Sequence, residues 1–487
     1  MKNNNKFKFS TNYIIACISM YFYLFLCISA YSQTDSLLNY LEIAAQNNPT
    51  VLQRYFEYEA ALQKVPQVGS LPDPDFSLGV FLSPMELIGG NQVADIRLMQ
   101  MFPWFGVIKS AKDEMSLMAK AKYGSFRDAK LQVFYDVQRK WYDLHKVKQN
   151  IRISEKNIEI LRTIERLAIV RFKAAPTGNG TATPNRRMSP ASTQSATSGS
   201  SGMQSMGGIS GNTAGSVSNQ AASTMQDNSM GSSSGSSGLS DVYRIQIEIG
   251  DLLNNIELLK NQWNTTVAEF NSYLNRPPDS PVSLPDTLIA ENFLPSMIAV
   301  SDSILSNNPM LGMIQYEQQS LEARKKMVTR MGYPMFGLGL NYSVISKSDM
   351  STSSMNGKDM IMPMVTATLP IYRKKYKAMQ TEADFLKSTN KQYYKATANS
   401  LQTEYYQAMQ LYQDAQRRTK LYAEQYQLAL RSLDIMLKSY ASSGSDLTDI
   451  LRIRQQTLDY EYKQIEAIAD FNTSIAWLKR LGNFEIH

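Results

Sequence analysis

Cysteine, histidine and long apolar runs are nearly missing from this chain. Of its 487 residues two are cysteine and two are histidine. Both cysteines, Cys17 and Cys27, lie before Gln33, so the remainder has no thiol for catalysis, disulfide stapling or cluster ligation. His145 falls inside a helical pattern and His487 is the last residue; a lone helix histidine is most often a packing residue. No glycine-rich loop cradles a phosphate, and the abundant carboxylates sit on rod-like segments where they read as a solvated face. An enzyme is therefore not expected, and no cofactor.

The one long apolar run is Tyr13 to Ile28, with Lys2, Lys6 and Lys8 ahead of it and Ala30-Tyr31-Ser32 behind it. That order is a secretion signal, residues 1–32, cut before Gln33. A retained membrane anchor fits less well because the run is short, and lipid attachment at Cys27 would need a small residue where Leu26 stands. Losing three lysines and no acids lowers the formal charge from +7 to +4, which is no nucleic-acid footprint for a chain of this size. An exported chain this long buries a large core without staples.

The chain is an internal duplication. Asn47-Asn48-Pro49 matches Asn307-Asn308-Pro309, Pro74 matches Pro334, and Phe76-x-Leu78-Gly79 matches Phe336-x-Leu338-Gly339 at an offset of 260 residues. The division is 33–280 for the first repeat and 281–487 for the second, each with two extended segments, at about 73–103 and about 334–370. In both, apolar and polar residues alternate. Phe76, Leu78, Val80 and Leu82 oppose Ser77 and Gly79; Phe336, Leu338, Leu340 and Tyr342 oppose Gly337, Gly339, Asn341 and Ser343. Segments of about ten residues suffice for a tilted strand to cross a bilayer, and aromatics cluster at the ends (Phe102, Trp104, Phe105, Tyr333, Tyr372, Tyr376). Alternation alone leaves open a soluble hairpin packed on a helix. Four strands cannot close a barrel, however, and an open edge in lipid strands its backbone groups; a membrane-spanning reading demands an oligomer.

Each hairpin leads into a rod. From Gln33 to about Lys64 the pattern is helical with a break at Pro49, meeting the hairpin near Pro66. Pro103 to Phe172 then repeats apolar residues every three or four positions. In the second repeat Leu401, Tyr405, Ala408, Tyr412, Ala415, Tyr422, Tyr426, Ala429, Leu433, Met436 and Tyr440 form a sustained heptad. A helix from Pro370 to Tyr440 would be roughly 105 Å long at 1.5 Å per residue. Both rods turn back. One return helix starts near Ser240-Asp241, the other at Thr448-Asp449 with a threonine cap. The first turn carries about sixty extra residues. This insertion, about 177–239, is Gly/Ser/Thr/Gln-rich with only Arg186, Arg187 and Asp227 charged, which predicts disorder.

Helix, hairpin, long helix, turn and return helix, present twice, with Gly444-x-Asp446-x-x-Asp449-Ile450-Leu451 at the second turn, resembles the TolC-like outer-membrane efflux proteins. The resemblance implies an α+β membrane fold: a homotrimer whose four strands per protomer build a twelve-stranded barrel among outer-membrane lipids, over a periplasmic helical hollow cylinder. It also implies partners, namely a periplasmic adaptor (membrane fusion protein) and an inner-membrane transporter of the resistance-nodulation-division type, and passive conduction of what that pump delivers. Drug efflux and type I secretion share this architecture. A structural coiled-coil envelope protein explains the heptads without the hairpins, and a porin has no need of the rods.

Two sets of site residues follow. By the resemblance, Asp241, Arg244, Tyr440, Asp446, Asp449 and Arg452 belong to a periplasmic gate held shut by acidic residues and ion pairs. The first acid after Gly444 comes sooner than in the usual family pattern, and helix-dipole capping explains Asp241 and Asp449 nearly as well. The second set is methionine, of which there are twenty-six. Met188, Met203, Met206, Met225 and Met230 lie in the insertion, and Met350, Met355, Met360, Met362 and Met364 in or beside the second hairpin loop. Thioether sulfur is a soft ligand that suits Cu(I) or Ag(I) and needs no deprotonation. The resemblance extends to the heavy-metal branch of the family, so metal export stands beside generic small-molecule efflux; against it, methionine is also a flexible filler of cores.

Overall fold

The structure, a computed structural model, describes residues 36–174, 237–291, 297–441 and 446–484. The secretion signal and the five insertion methionines lie outside the described residues. The chain divides into two compact units. One comprises the residues up to Asn157 together with those from Leu252 onward, the other Ile158–Asp251.

Described elements run in the order α1 (Ser36–Asn47), α2 (Pro49–Gly69), β1 (Asp75–Leu87), β2 (Gly90–Phe102), α3 (Val107–Ala174), α4 (Ser237–Tyr273), α5 (Met297–Asn307), α6 (Pro309–Met331), β3 (Met335–Ser346), β4 (Met360–Thr368), α7 (Arg373–Ala441) and α8 (Leu447–Gly482). No described helix is long and apolar enough to cross a membrane.

The α1–α2 and α5–α6 breaks have one cause. Asn48 and Asn308 each leave the helical region (ψ 124° and 125°) as N-cap, followed by proline at the first helical position, where a missing N–H costs nothing. The Asn48 side-chain oxygen accepts from the Thr50 and Val51 amides, and that of Asn308 accepts from Met310. Each amide nitrogen then donates to the end of its own return helix, Asn48 to the Tyr273 carbonyl (2.8 Å) and Asn308 to the Leu481 carbonyl (3.1 Å). Those helices end alike, with Asn275 and Asn483 in the left-handed region at φ 52° and 53°. The next amide, of Arg276 or Phe484, reaches back to Asn271 or Lys479, a Schellman-type closure.

Around each asparagine lies a core. In the first repeat Tyr40, Leu41, Ala44 and Val51 meet Val133, Val137, Trp141 and Leu144 of α3 and Phe270 and Leu274 of α4. In the second, Val300, Ile304 and Leu311 meet Leu401, Tyr405 and Ala408 of α7 and Leu478 and Leu481 of α8. Along α7 the heptad positions Leu401, Tyr405, Ala408, Ala415, Leu433 and Tyr440 are all buried. Arg418 pairs with Asp470 (2.8 Å) and Tyr412 packs on Phe471 across the α7–α8 seam.

Three local expectations need correction. Helix α2 runs through Pro66 to Gly69: the proline lies in the last turn, where its missing N–H forgoes a single intrahelical bond, the one to the Leu62 carbonyl, and Ser70 Oγ donates to the Pro66 carbonyl. Helix α4 begins at Ser237, three residues ahead of Ser240. The N-cap of α8 is Asp446, with no side-chain cap bond, and not Thr448; the helix takes in Leu447 because that residue is fully buried, so packing sets the start.

Within the first unit the four strands form one antiparallel sheet in the order β1-β2-β3-β4. Its middle seam, β2 on β3, joins the repeats, with Leu98 opposite Leu340 and Phe102 opposite Phe336. The first hairpin turns in two residues, Ile88 and Gly89, with Gly90 at φ +123°. The second turns through residues 347–359. Strand β1 changes register between Val80 and Met85, around Pro84, a residue tolerated only at an edge or bulge.

Candidate functional site

The strand register sorts the sheet into two unlike faces. Directly paired residues share a face. One carries Phe76, Leu78 and Val80 of β1, Ile96 and Leu98 of β2, Phe336, Leu338 and Leu340 of β3, and Ile361 and Val365 of β4. Nearly all are exposed, Val365 at 77% and Phe76 at 67%. A contiguous apolar surface of this extent is costly in water. Among the described residues the outer edges of β1 and β4 have no strand partner.

The other face is polar and partly closed. Ser77, Asp95, Arg97, Gly337, Gly339, Asn341 and Ser343 share it. Ser343 Oγ donates to Asp95 (3.2 Å) and accepts from Gln92 Nε2 (3.3 Å), and Arg97 stands 4.0 Å from Asp95. Asn341 and Ser343 are buried.

At one end of the sheet an aromatic and basic collar leads to the helices. Trp104 stacks on Tyr333 (5.2 Å between ring centroids) and approaches Phe336. Phe105, Tyr372 and Ile371 are strongly exposed, and Arg373, Lys374, Lys375 and Lys377 follow directly. Arg330 at the end of α6 donates to the Gly106 carbonyl (2.9 Å) and to Ser110 Oγ (2.7 Å), tying the strand-to-helix crossings of both repeats together. At the other end Asn356 organises the second hairpin loop by bonding Ser348 and Ser351, and Gly357 N and Ser351 Oγ reach Gly89 O and Ile88 O of the first hairpin. Met350 and Met355 of this loop are exposed, at 90% and 58%; Met360 opens β4 and is also exposed.

Of the six gate residues, the structure brings Asp449 and Arg452 together one helical turn apart on α8, at 3.2 Å, both solvent-facing. Asp446 is the exposed cap of that helix, and Tyr440 is buried near the end of α7. Asp241 and Arg244 lie on the first turns of α4, in the other compact unit. Within that unit Leu161, Ile164, Ala168 and Ile245 are buried, and Gln246 donates to Glu165 (2.8 Å).

Three ionisable groups on the long helices are wholly or partly buried. His145 is fully buried on α3; burial holds its pKa below the ordinary imidazole value against the Pro285 carbonyl, Lys148 adding to the fall and Asp286 opposing it. Glu461 on α8 is raised by burial, against Lys156 and a Tyr426 hydrogen bond, and the Tyr426 phenol is pushed up to about 12 by burial and by Glu461. The heptad marked Tyr426 as a core position, but nothing in the sequence marked its carboxylate partner. No three His, Cys, Asp or Glu side chains among the described residues are grouped to hold a metal.

Comparison with known proteins places this geometry. No family model matches the sequence, and no curated protein matches it. Solved structures do. The outer-membrane channel CmeC of Campylobacter jejuni superposes with a TM-score of 0.66 at 13% identity, covering 93% of this chain and 86% of that one. The outer-membrane protein VceC of Vibrio cholerae gives 0.64 at 13%, over 92% and 96%. The transmembrane channel CusC gives 0.64 at 10%, over 93% and 95%.

Proposed function

We propose, on the premise that the chain has the fold of the outer-membrane efflux channels, that three copies assemble into the membrane conduit of a tripartite export system. The observation that carries this is the four-stranded sheet with one exposed apolar face and two unpaired edges. Three such sheets joined edge to edge close a twelve-stranded barrel, bury every edge and turn the apolar faces to lipid. The polar face then lines the lumen, and the collar of Trp104, Tyr333, Tyr372 and the following lysines sits at the interfacial girdle.

The protein works in the cell outer membrane, without chemistry of its own, and passes on what an inner-membrane transporter of the resistance-nodulation-division type and a periplasmic adaptor deliver. The paired long helices continue the conduit into the periplasm, and the turns between them form its mouth, where Asp241, Arg244, Tyr440, Asp446, Asp449 and Arg452 hold the gate. Soft monovalent metal is one cargo reading, supported by the methionines; drug-like molecules are the other.

Extraction in mild detergent should give a heat-labile trimer that conducts ions in planar bilayers. A monomer without conductance refutes the reading. Deleting the gene and testing copper, silver and detergent tolerance side by side separates the cargoes, since metal sensitivity is expected only on the first.

A further inference from the structure

The polar face of the sheet holds more sulfur than a water-lined wall requires. By register it carries Met99 and Met101 of β2, Met335 of β3, and Met360, Met362 and Met364 of β4. The opposite face of these three strands carries none over the paired positions from Phe76 to Thr368. Methionine used as apolar filler has no reason to choose the polar side of an alternating strand, where leucine, isoleucine and valine are absent from the same rows; the apolar face is filled by leucine, isoleucine, valine and aromatic residues instead.

The glycines of β3 explain how the thioethers gather. Gly339 is flanked by Met99 on one side and Met364 on the other, and Gly337 by Met101 and Thr366. A Cβ at Gly337 would meet Met101 Sδ at 2.6 Å, and one at Gly339 would lie 3.6 Å from both Met99 Cβ and Met364 Cε. The side chains of β2 and β4 therefore lean into the two notches that β3 leaves. Thr366 Oγ1 donates to Met99 Sδ at 3.8 Å, so the Met99 thioether reaches toward the row that holds Met101 and Gly337. The next row supplies a second, independent sign. Asn341 is 7% exposed and its Oδ1 is buried with no hydrogen-bond partner, an acceptor without a donor between Arg97 and Met362. Arg97 is offset by Asp95 beside it.

We propose that this methionine-lined face is a binding surface for a soft monovalent cation of the Cu(I) or Ag(I) class, with Met99, Met101 and Met364 as the thioether ligands and the Asn341 oxygen beside them. Neutral thioethers bind such ions without releasing a proton and discriminate against hard cations. Several weak, spaced ligands also suit a surface that must let its ion go. The inference rests on the channel reading for the direction in which the face points, but the site itself is contained in one protomer.

The test uses the full-length protein purified in detergent without added thiols, titrated with silver nitrate by calorimetry and examined by silver K-edge absorption. Binding with sulfur neighbours is expected in the wild type, and its loss in the combined M99L, M101L and M364L variant, whose near-isosteric side chains preserve packing. Replacing Met350 and Met355 with leucine should leave the binding in place. Binding that survives the triple variant, depends on Met350 and Met355 instead, or shows only oxygen or nitrogen neighbours overturns the proposal. If the triple variant is misfolded by circular dichroism, the wild-type absorption spectrum together with N341L decides: no sulfur shell refutes the site. Conductance of the same wild-type preparation tests the channel reading separately, since methionine-dependent silver binding without conductance removes the channel and keeps the site.

Discussion

The two repeats share a knot and differ in what they hang from it. Asn48 and Asn308 occupy equivalent places, cap equivalent helices and donate to the last turns of equivalent return helices. The surrounding residues do not match in kind: Trp141 and His145 on α3 stand where α7 has Leu401 and Tyr405, 260 positions on. A duplicated fold thus keeps the polar residues that satisfy backbone groups and lets the packing drift, because a buried carbonyl accepts few substitutes for its donor whereas apolar volume can be traded among neighbours.

The sharpest way to break that comparison is to remove each asparagine. Asn308→Ala loses a helix cap and leaves the Leu481 carbonyl without its donor, together worth about 3 kcal/mol. Asn48→Ala should cost somewhat more, because the Asn48 side chain accepts from the Thr50 and Val51 amides whereas that of Asn308 accepts from Met310. Urea unfolding of the solubilised protein followed by circular dichroism reads the difference. Equal and small losses would mean that the shared knot is incidental to stability.

How much of this was legible in the sequence depends on the period involved. The offset of 260 and the heptad of α7 were readable because they repeat, and a repeat of three or four over seventy residues has few alternatives to a long helix. The alternation in β1 and β3 was readable for the same reason. Single-residue events were not. Pro66 reads as a stop, yet the helix outruns it by one turn; Thr448 reads as a cap, yet burial of Leu447 moves the start to Asp446. The methionine face was hidden for a different reason. Met364 lies about 260 residues from Met99 and Met101, and only the register across β2, β3 and β4 brings the three to one side. The loop methionines Met350 and Met355, which are adjacent in sequence terms, proved to be exposed at the tip.

His145 sharpens the comparison next, because its counterpart Tyr405 carries no charge to gain at acidic pH. Its folded pKa is depressed by burial, so the neutral form is the folded form. The stability it protects is complete above the ordinary imidazole value and is lost as pH falls through that value toward the depressed one, at about 1.4 kcal/mol per pH unit. The buried Glu114 and the half-buried Glu317 and Glu461 have carboxyls raised by desolvation and act with the opposite sign, relieving a penalty as pH falls below their raised values. His145→Gln should therefore flatten the loss that sets in below the ordinary imidazole pH, without touching the carboxylate region. A variant with the wild-type pH profile would show that His145 titrates as an exposed group does.

A smaller difference separates the two hairpins. Gly79 and Gly339 are equivalent by sequence, but Gly79 is on β1 at the sheet edge, where an added Cβ finds its nearest atoms at 3.9 Å, whereas at Gly339 it would lie 3.1 Å from the Leu98 carbonyl. Gly79→Ala should be neutral or stabilising by a few tenths of a kcal/mol through the unfolded chain. Gly339→Ala should cost about 1 kcal/mol and lower the temperature at which the proposed trimer dissociates on a gel. The reverse order would mean that β1 is the more tightly packed strand once its edge is paired.

The smallest effect on stability is expected at the proposed gate, and that makes it the cleanest functional test. Asp449 and Arg452 pair on one helix, three residues apart, with side chains 47% and 74% exposed, and exposed pairs of this kind contribute about 0 to 0.5 kcal/mol. Asp446 adds no side-chain cap bond to α8. Asp449→Ala should accordingly leave the unfolding midpoint within error while raising single-channel conductance and weakening block by divalent cations from the periplasmic side, because three carboxylates around an axis attract cations that one carboxylate on a helix does not. Asp241→Ala supplies the comparison from the other repeat. If both variants conduct as the wild type does, the acidic residues at the turns serve only the helix ends, and the mouth is closed by other contacts, with buried Tyr440 the next residue to replace.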